Sequence, residues 1–227
     1  MRSKRYKKLP EKTNLEKPNT IENLIPLVKK NCTTKFDESV DLSILINNKQ
    51  KKNEINIRSA INLPSGTGKK VKIAVVAEDA KQKDAKDSGA DLVGGDDLID
   101  KIKNGELNFE KLICTPSMMI KLSKLGKILG PKGLMPNPKM GTVSDDLAKA
   151  VDKVKNKSIE VKNDKDGNLS FSIGRKSFQE NKLSENIKSA FEFLKKEKSS
   201  IFNSENIKKV YFSTTMSPSF KLNFKDI

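Results

Sequence analysis

The residues best suited to chemistry are lysines set in a loop that regular structure should avoid. Between Gly126 and Val143 the chain reads Gly-Lys-Ile-Leu-Gly-Pro-Lys-Gly-Leu-Met-Pro-Asn-Pro-Lys-Met-Gly-Thr-Val, with Lys127, Lys132 and Lys139 and no carboxylate. Pro131, Pro136 and Pro138 fix φ and withhold backbone donors, so neither a helix nor a central strand is predicted to run through. Leu134 and Met135 should tack the loop to a core, and an ordered cationic loop suits contact with a polyanion. The plainer alternative is a connector that happens to be basic. Gly66-Thr-Gly68-Lys69 invites a phosphate-loop reading, but Leu63 and Lys70 stand where the Walker pattern needs Gly and Ser or Thr. The segment also leads into a strand rather than a helix N-terminus, so an interlobe turn is preferred. Gly130-Pro-Lys-Gly133 has the spacing of a KH clamp, without the helix that should come after it.

The pairs Asp96/Asp97 and Asp145/Asp146 could serve acid/base chemistry or hold Mg²⁺. Each opens a stretch of helical apolar periodicity, where a capping oxygen and the helix dipole explain it more simply. Asp164 and Asp166 belong to a turn; a calcium loop would need further ligands and a terminal Glu. Cys32 and Cys114 lack paired spacing and read as small buried hydrophobes, and Met118, Met119, Met135 and Met140 as gap fillers. Histidine is absent, which removes Ser-His-Asp and Cys-His catalysis and the commonest metal ligand. No catalytic residue, cofactor or metal is expected. The rival from another class is an α/β enzyme taking a nucleotide at residues 66–69.

Three other segments gather hydroxyls, cations and apolar tips: Thr34-Lys35-Phe36, Gly174-Arg175-Lys176-Ser177-Phe178 and Ser213-Thr-Thr-Met-Ser217. Hydroxyls can meet ribose 2′-OH groups and shallow base edges, while Phe36 or Met216 can lie against the sugar surface. Strand-end turns with an ordinary Phe anchor remain the equal alternative.

The 227 residues carry 45 Lys and Arg against 29 acids, a net charge of +16, and the pI is near 9.7. That surplus points to nucleic acid or an anionic membrane surface. No apolar run of about 18 uncharged residues is present, so membrane spanning is not expected. Residues 1–17 are basic without the apolar stretch of a secretory signal, and Pro10, Glu11, Glu16 and Pro18 argue against an amphipathic transit helix. The expected location is the cytosol, or the interior of an organelle that makes the protein. A peripheral membrane protein held by this head is the second rival. Apart from Arg2, Arg5, Arg58 and Arg175 the cations are lysines, point charges that neutralise phosphate without the arginine fork. With no Trp and 5% aromatics, a base-stacking platform finds little material.

The elements that must position these residues fall into two grammars. Thr20 should cap a helix with Ile21, Leu24, Ile25 and Val28 on its apolar side, and Pro26 predicts a kink or a later start. Val40, Leu42, Ile44 and Ile46 alternate as a strand, and Ile55, Ile57, Ala60, Ile61 and Leu63 read as its hairpin partner across residues 47–53. From residue 70 strands and helices alternate: strand 71–77, helix 79–88, strand 90–93, a helix opened by Asp96 and Asp97, strand 112–115, helix 116–125, and a helix from Asp145 to about 156. Hairpin grammar then returns, with residues 159–161 and 169–173 flanking the turn 164–167, a helix over 184–198, and strands at 210–212 and 220–224. The expected fold is a discontinuous α+β domain, an antiparallel sheet with helices, interrupted by an inserted three-layer α/β domain with a mainly parallel sheet. Its boundaries are 1–66 with 159–227, and 67–158.

The run Leu129-Gly-Pro-Lys-Gly-Leu-Met-Pro-Asn-Pro-Lys-Met-Gly-Thr-Val143 resembles the ribosomal protein L-one family. So do Lys35-Phe-Asp-Glu38, Leu63-Pro-Ser-Gly-Thr-Gly-Lys69, Gly89-Ala-Asp-Leu-Val-Gly-Gly95 and Thr214-Thr-Met-Ser-Pro-Ser219, and the bacterial or organellar branch is closer than the archaeal one. The resemblance covers nearly the whole chain and implies the same two-lobe fold. It implies a non-enzymatic constituent of the large subunit, whose α+β lobe grips rRNA at the mobile stalk beside the exit site. It further implies help in releasing deacylated exit-site tRNA, repression through its own mRNA, contacts with other ribosomal components, and a monomer off the ribosome. By resemblance the RNA-contacting positions are Lys35, Phe36, Ser177, Thr215, Met216 and Ser217, with secondary contacts at Arg58, Arg175, Lys176, Lys127, Lys132 and Lys139. Ser217 and Ser59 stand where the family usually has Gly, so Ser217 is expected to shift or weaken one contact.

Overall fold

A single helical turn, α1 (Lys4–Lys8), precedes α2 (Ile21–Asn31), whose Ile21, Leu24, Ile25 and Val28 bury one side. The expected cap is positional only: the Thr20 carbonyl accepts from the Leu24 amide at 3.0 Å, but the hydroxyl makes no capping bond. Pro26 lies inside the helix without ending it. Next along the chain come β1 (Ser39–Ile46), β2 (Arg58–Asn62), β3 (Ile73–Val76), α3 (Asp79–Asp87), β4 (Leu92–Gly94), α4 (Asp96–Lys103), β5 (Lys111–Cys114), α5 (Pro116–Ser123), α6 (Gly126–Leu129) and α7 (Leu147–Asn156). The chain closes with β6 (Ser158–Lys162), β7 (Leu169–Arg175), α8 (Glu180–Glu197), β8 (Ile207–Thr214) and β9 (Phe220–Leu222). This computed structural model describes residues 4–9, 19–46, 57–156, 158–164, 166–197, 202 and 206–223.

Two units emerge, Met1–Gly68 with Ile159–Ile227, and Lys69–Ser158. In the first, an antiparallel sheet runs in the order β7-β1-β8-β9. Val40, Leu42, Ile44 and Ile46 alternate along β1 and face the core with Phe171, Ile173, Val210 and Phe212, under α2 and α8. The expected hairpin between β1 and the strand before Leu63 does not form: β7 and β8 occupy both edges of β1, and β2 pairs with β6 in a separate two-stranded sheet. The predicted turn at 47–53 lies outside the described residues. The second expected hairpin is also corrected. Asp164 pins its turn as predicted, its Oδ1 accepting from the Asp166 and Asn168 amides at 3.0 and 2.7 Å. Yet among the described residues the one bridge there joins Asn163, just after β6, to Leu169, and β6 and β7 lie in different sheets. Both strands still bury their apolar faces in one core, because Ile61 and Val161 join Leu169, Phe171 and Ile187 in it.

In the second unit β3 is central and parallel to β4 and β5. Ile73, Ala74, Val75 and Val76 are all buried, which accounts for the continuous apolar run. Ala74 and Val76 face Leu98, Ile102 and Leu122 on one side, and Ile73 and Val75 face Ala85, Leu147 and Val151 on the other, giving three layers. Asp146 behaves as predicted, its Oδ1 accepting from the Lys149 amide at 3.2 Å at the start of α7. Asp96 does not cap: Gly95 takes that position, and the Asp96 carboxylate meets Lys121 at 2.8 Å. The glycine-proline loop is more regular than expected. Its first residues form α6, ahead of Pro131, and a 3₁₀ turn covers Pro138–Met140, which needs few internal donors. No helix among the described residues is long and apolar enough to cross a membrane.

Candidate nucleic-acid interface

The topology of the first unit decides which segments meet. Strand β1 runs antiparallel to both neighbours, so its start lies beside their ends. Ser39 pairs with Arg175 of β7, and Val40 pairs with Thr214 of β8. Residues 32–38, which lead into β1, therefore lie between the loops that leave β7 and β8. A bulge opposite Val40 and Asp41 adds Ile173 to β7 just before that exit, and such a bulge bends a strand and re-aims the residues beyond it. Gly174 sits at this bend; a Cβ there would lie 2.8 Å from Leu183 Cδ2 and 3.1 Å from Phe178 Cδ2.

Main-chain bonds fix the junction. The Lys176 amide donates to the Glu38 carbonyl at 2.9 Å, and the Thr215 amide to the Ser39 carbonyl at 3.2 Å. Two carboxylates then bind the segments side by side. Asp37 accepts from the Ser177 amide at 3.0 Å and from its hydroxyl at 2.8 Å. Glu38, fully buried, accepts from the Thr34 hydroxyl at 2.5 Å and from the Met216 amide at 3.1 Å. Burial raises the Glu38 pKa, but hydrogen bonds from Thr34, Thr214 and the Met216 amide outweigh it and hold the carboxyl below its ordinary range. Three cations brace the same junction through main-chain carbonyls: Lys176 Nζ to Cys32 at 2.8 Å, Lys29 Nζ to Phe178, and Arg5 Nη2 to Met216 at 2.6 Å.

The surface left over is cationic, hydroxyl-bearing and apolar at two points. Phe36 is 52% exposed and Met216 46%, two of the four large apolar side chains that stand exposed among the described residues. Lys35 is exposed and has no partner among the described residues. Thr215 is exposed while its Oγ1 accepts from the Ser39 amide at 3.2 Å. Ser217 behaves differently from the others. Its Oγ lies 2.6 Å from Thr214 Oγ1 and turns inward, and its φ is negative, so the residue occupies its turn without strain. Ser59 is likewise accommodated, buried with its hydroxyl on Glu197 at 2.5 Å.

The structure thus brings together Lys35, Phe36, Arg175, Lys176, Ser177, Thr215, Met216 and Ser217. Arg58 is not among them: it lies on β2 and pairs with Glu160 at 3.0 Å. Lys127 and Lys132 lie in the second unit on the glycine-proline loop, and neither has a partner among the described residues. That loop is tethered by Thr142, whose Oγ1 accepts from the Asn137 amide at 2.7 Å, and by Pro136, Leu134 and Met135, which are wholly or partly buried. Lys139 belongs to its 3₁₀ turn. Among the described residues no group of three or more His, Cys, Asp or Glu could hold a metal ion. At residues 65–66 the buried Asn186 holds the chain, its Nδ2 donating to the Gly66 carbonyl at 2.9 Å and its Oδ1 accepting from the Ser65 amide at 3.0 Å.

Sequence reasoning missed Arg5, Asp37 and Glu38. The acids sit directly after Lys35 and Phe36, and two carboxylates beside a supposed polyanion site could have been read as internal ties; nothing local marks Arg5.

A sequence model of the ribosomal protein L1p/L10e family matches residues 28–218. The chain is 60% identical over 223 residues to the large ribosomal subunit protein uL1 of Pelagibacter ubique, covering 98% of this chain and 97% of that one. It is 48% identical over 221 residues to the protein of the same name from Fervidobacterium nodosum, covering 97% and 94%. To that of Phytoplasma australiense it is 45% identical over 221 residues, covering 97% and 96%.

Proposed function

This chain belongs to the ribosomal protein L1p/L10e family, and from that premise we propose that it is a large-subunit constituent whose first unit grips stalk rRNA beside the exit site. As a ribosomal protein it is not an enzyme, and it works where its ribosomes translate, in the cytoplasm. The observation that supports the RNA reading best is the meeting of three distant segments around Glu38, with Phe36, Met216 and Lys35, which has no partner among the described residues, left outward. Affinity comes from lysine charge, and selectivity for RNA shape from Thr215, Ser177, Phe36 and Met216 against the sugar surface. Ser217 contributes through the turn it holds with Thr214 rather than through a free hydroxyl. Arg175 and Lys176 flank this surface, and Arg58, paired with Glu160 on β2, is left out of the proposed grip.

The same surface, offered to a similar fold in the protein's own mRNA, would repress translation. Lys127, Lys132 and Lys139 on the glycine-proline loop would meet exit-site tRNA and help its release once deacylated. Off the ribosome the chain is a monomer. Crosslinking in cells followed by sequencing of the bound RNA tests the assignment: a single cluster in large-subunit rRNA supports it, and a scattered profile ends it. In a filter-binding titration Thr215→Val should weaken binding to stalk rRNA by about 1–3 kcal/mol, the range for a hydrogen bond that the bound RNA buries and the variant leaves unmade. Unchanged affinity would remove Thr215 from the interface.

A further inference from the structure

The RNA interface proposed above is the basis here, and one residue is added to it. Arg5, in α1, reaches two segments far along the chain: Nη1 donates to the Thr33 hydroxyl at 2.7 Å and Nη2 to the Met216 carbonyl at 2.6 Å. Thr33 belongs to the loop that carries Lys35 and Phe36, and Met216 is the exposed tip of the loop after β8. One planar group therefore ties the two loops whose apolar tips stand outward. Both acceptors are neutral, and among the described residues no carboxylate pairs with Arg5. This sets it apart from Arg175, which has the Asp37 carboxylate 3.9 Å away, and from Arg58, paired with Glu160. A guanidinium has five N–H donors in a fixed plane, so two bonds to the protein leave three donors and the full charge. It also spans two acceptors in a way that a lysine ammonium, a point charge on a flexible stem, does not.

We propose that Arg5 staples the Met216 loop to the Thr33 loop and presents its remaining donors to the RNA backbone, which makes the first helical turn a working part of the RNA-binding surface. Two demands are then combined in one side chain. The bridge holds the Met216 turn in its receptive shape before RNA arrives, and the charge, which no described carboxylate pairs with, meets a phosphate beside it. A brace alone would need the geometry but not the charge, and a loose basic head would need the charge but not the geometry.

The test uses the full chain and a transcript of the stalk segment of its own large-subunit rRNA. Binding constants are measured across a series of salt concentrations for Arg5→Met, Arg5→Lys and, as a reference, Thr215→Val. Arg5→Met should lower affinity about tenfold at 0.1 M salt and flatten the slope of log K against log salt by roughly 0.7–0.9, the value for one phosphate contact. Arg5→Lys should keep the wild-type slope and still bind several-fold more weakly, because the charge survives and the bridge does not. A wild-type slope in Arg5→Met overturns the phosphate contact, and wild-type affinity in Arg5→Lys overturns the staple. If both Arg5 variants bind normally while Thr215→Val is weakened, this inference fails and the interface stands. If all three bind normally, the interface itself fails. Melting curves of each variant exclude a loss of fold, and Arg5→Gln replaces Arg5→Met if the latter melts early.

Discussion

Replacing Glu38 probes the junction on which the whole interface depends. Its side chain is fully buried and serves the Thr34 hydroxyl at 2.5 Å and the Met216 amide at 3.1 Å, with Thr214 also bonded to it. Glu38→Ala leaves at least two donors without their acceptor and opens a void. An unmade bond to a buried polar group costs about 1–3 kcal/mol, and since Thr34 and Met216 can partly turn to water, about 3 kcal/mol is expected in total. For a chain of this size roughly 2–4 °C accompanies each kcal/mol, so the melting temperature should fall by about 6–12 °C. Glu38→Gln keeps the shape and one acceptor but turns an NH₂ toward a donor, and should lose about half as much. The acid dependence carries a sign of its own. Because the folded-state pKa of Glu38 is held below its ordinary value, its contribution is present in full above the unfolded pKa, about 4.3, and is lost as pH falls through the folded value. The gap in melting temperature between wild type and Glu38→Gln should therefore be constant from about pH 5 to 7 and narrow below about pH 4. Circular dichroism melts at several pH values measure it. A Glu38→Ala protein melting within about 2 °C of wild type would refute the claim that this carboxylate holds the three segments together.

Other expectations are simpler. Lys35→Gln should leave the melting curve unchanged, since Lys35 is exposed and has no described partner, yet flatten the salt dependence of RNA binding by roughly 0.7–0.9 log units. A change in stability without a change in slope would place Lys35 in the scaffold instead. Asn186→Ala strands the Ser65 amide and the Gly66 and Ile173 carbonyls that its buried side chain serves, so urea unfolding should show a loss of about 2–3 kcal/mol. Burial pushes the Cys114 thiol up to about 11, and burial also raises Cys32 despite its bond to Thr214. Both should resist a thiol reagent at pH 8 in the folded protein and react together on unfolding; fast reaction of either in the native state would contradict their burial.

Much of the fold was legible because burial tracks period. Alternation at Val40, Leu42, Ile44 and Ile46 marks a sheet with one buried face, and the unbroken run Ile73–Val76 marks a strand covered on both sides. Strand partners were not legible. Ile57 and Ile61 carry the pattern of a strand but say nothing of its neighbour, and β2 pairs with β6 because β7 and β8 already hold both edges of β1. Adjacency in sequence favoured a hairpin; competition for hydrogen-bonding edges decided otherwise.

The candidate site divides along the same line. Local chemistry marks Phe36, Ser177 and Met216 as a hydroxyl, two apolar tips and their cationic neighbours, and family resemblance supplies their role. No stretch of sequence could state that Asp37 would hold Ser177, that Glu38 would hold Met216, and that Arg5 would reach across to it. Residue type and spacing fix the period of burial and hence the elements, because side-chain direction repeats along a strand or helix whatever lies elsewhere. Which ends of those elements meet, and which buried carboxylate ties them, depends on long-range antiparallel pairing, and only the folded chain decides it.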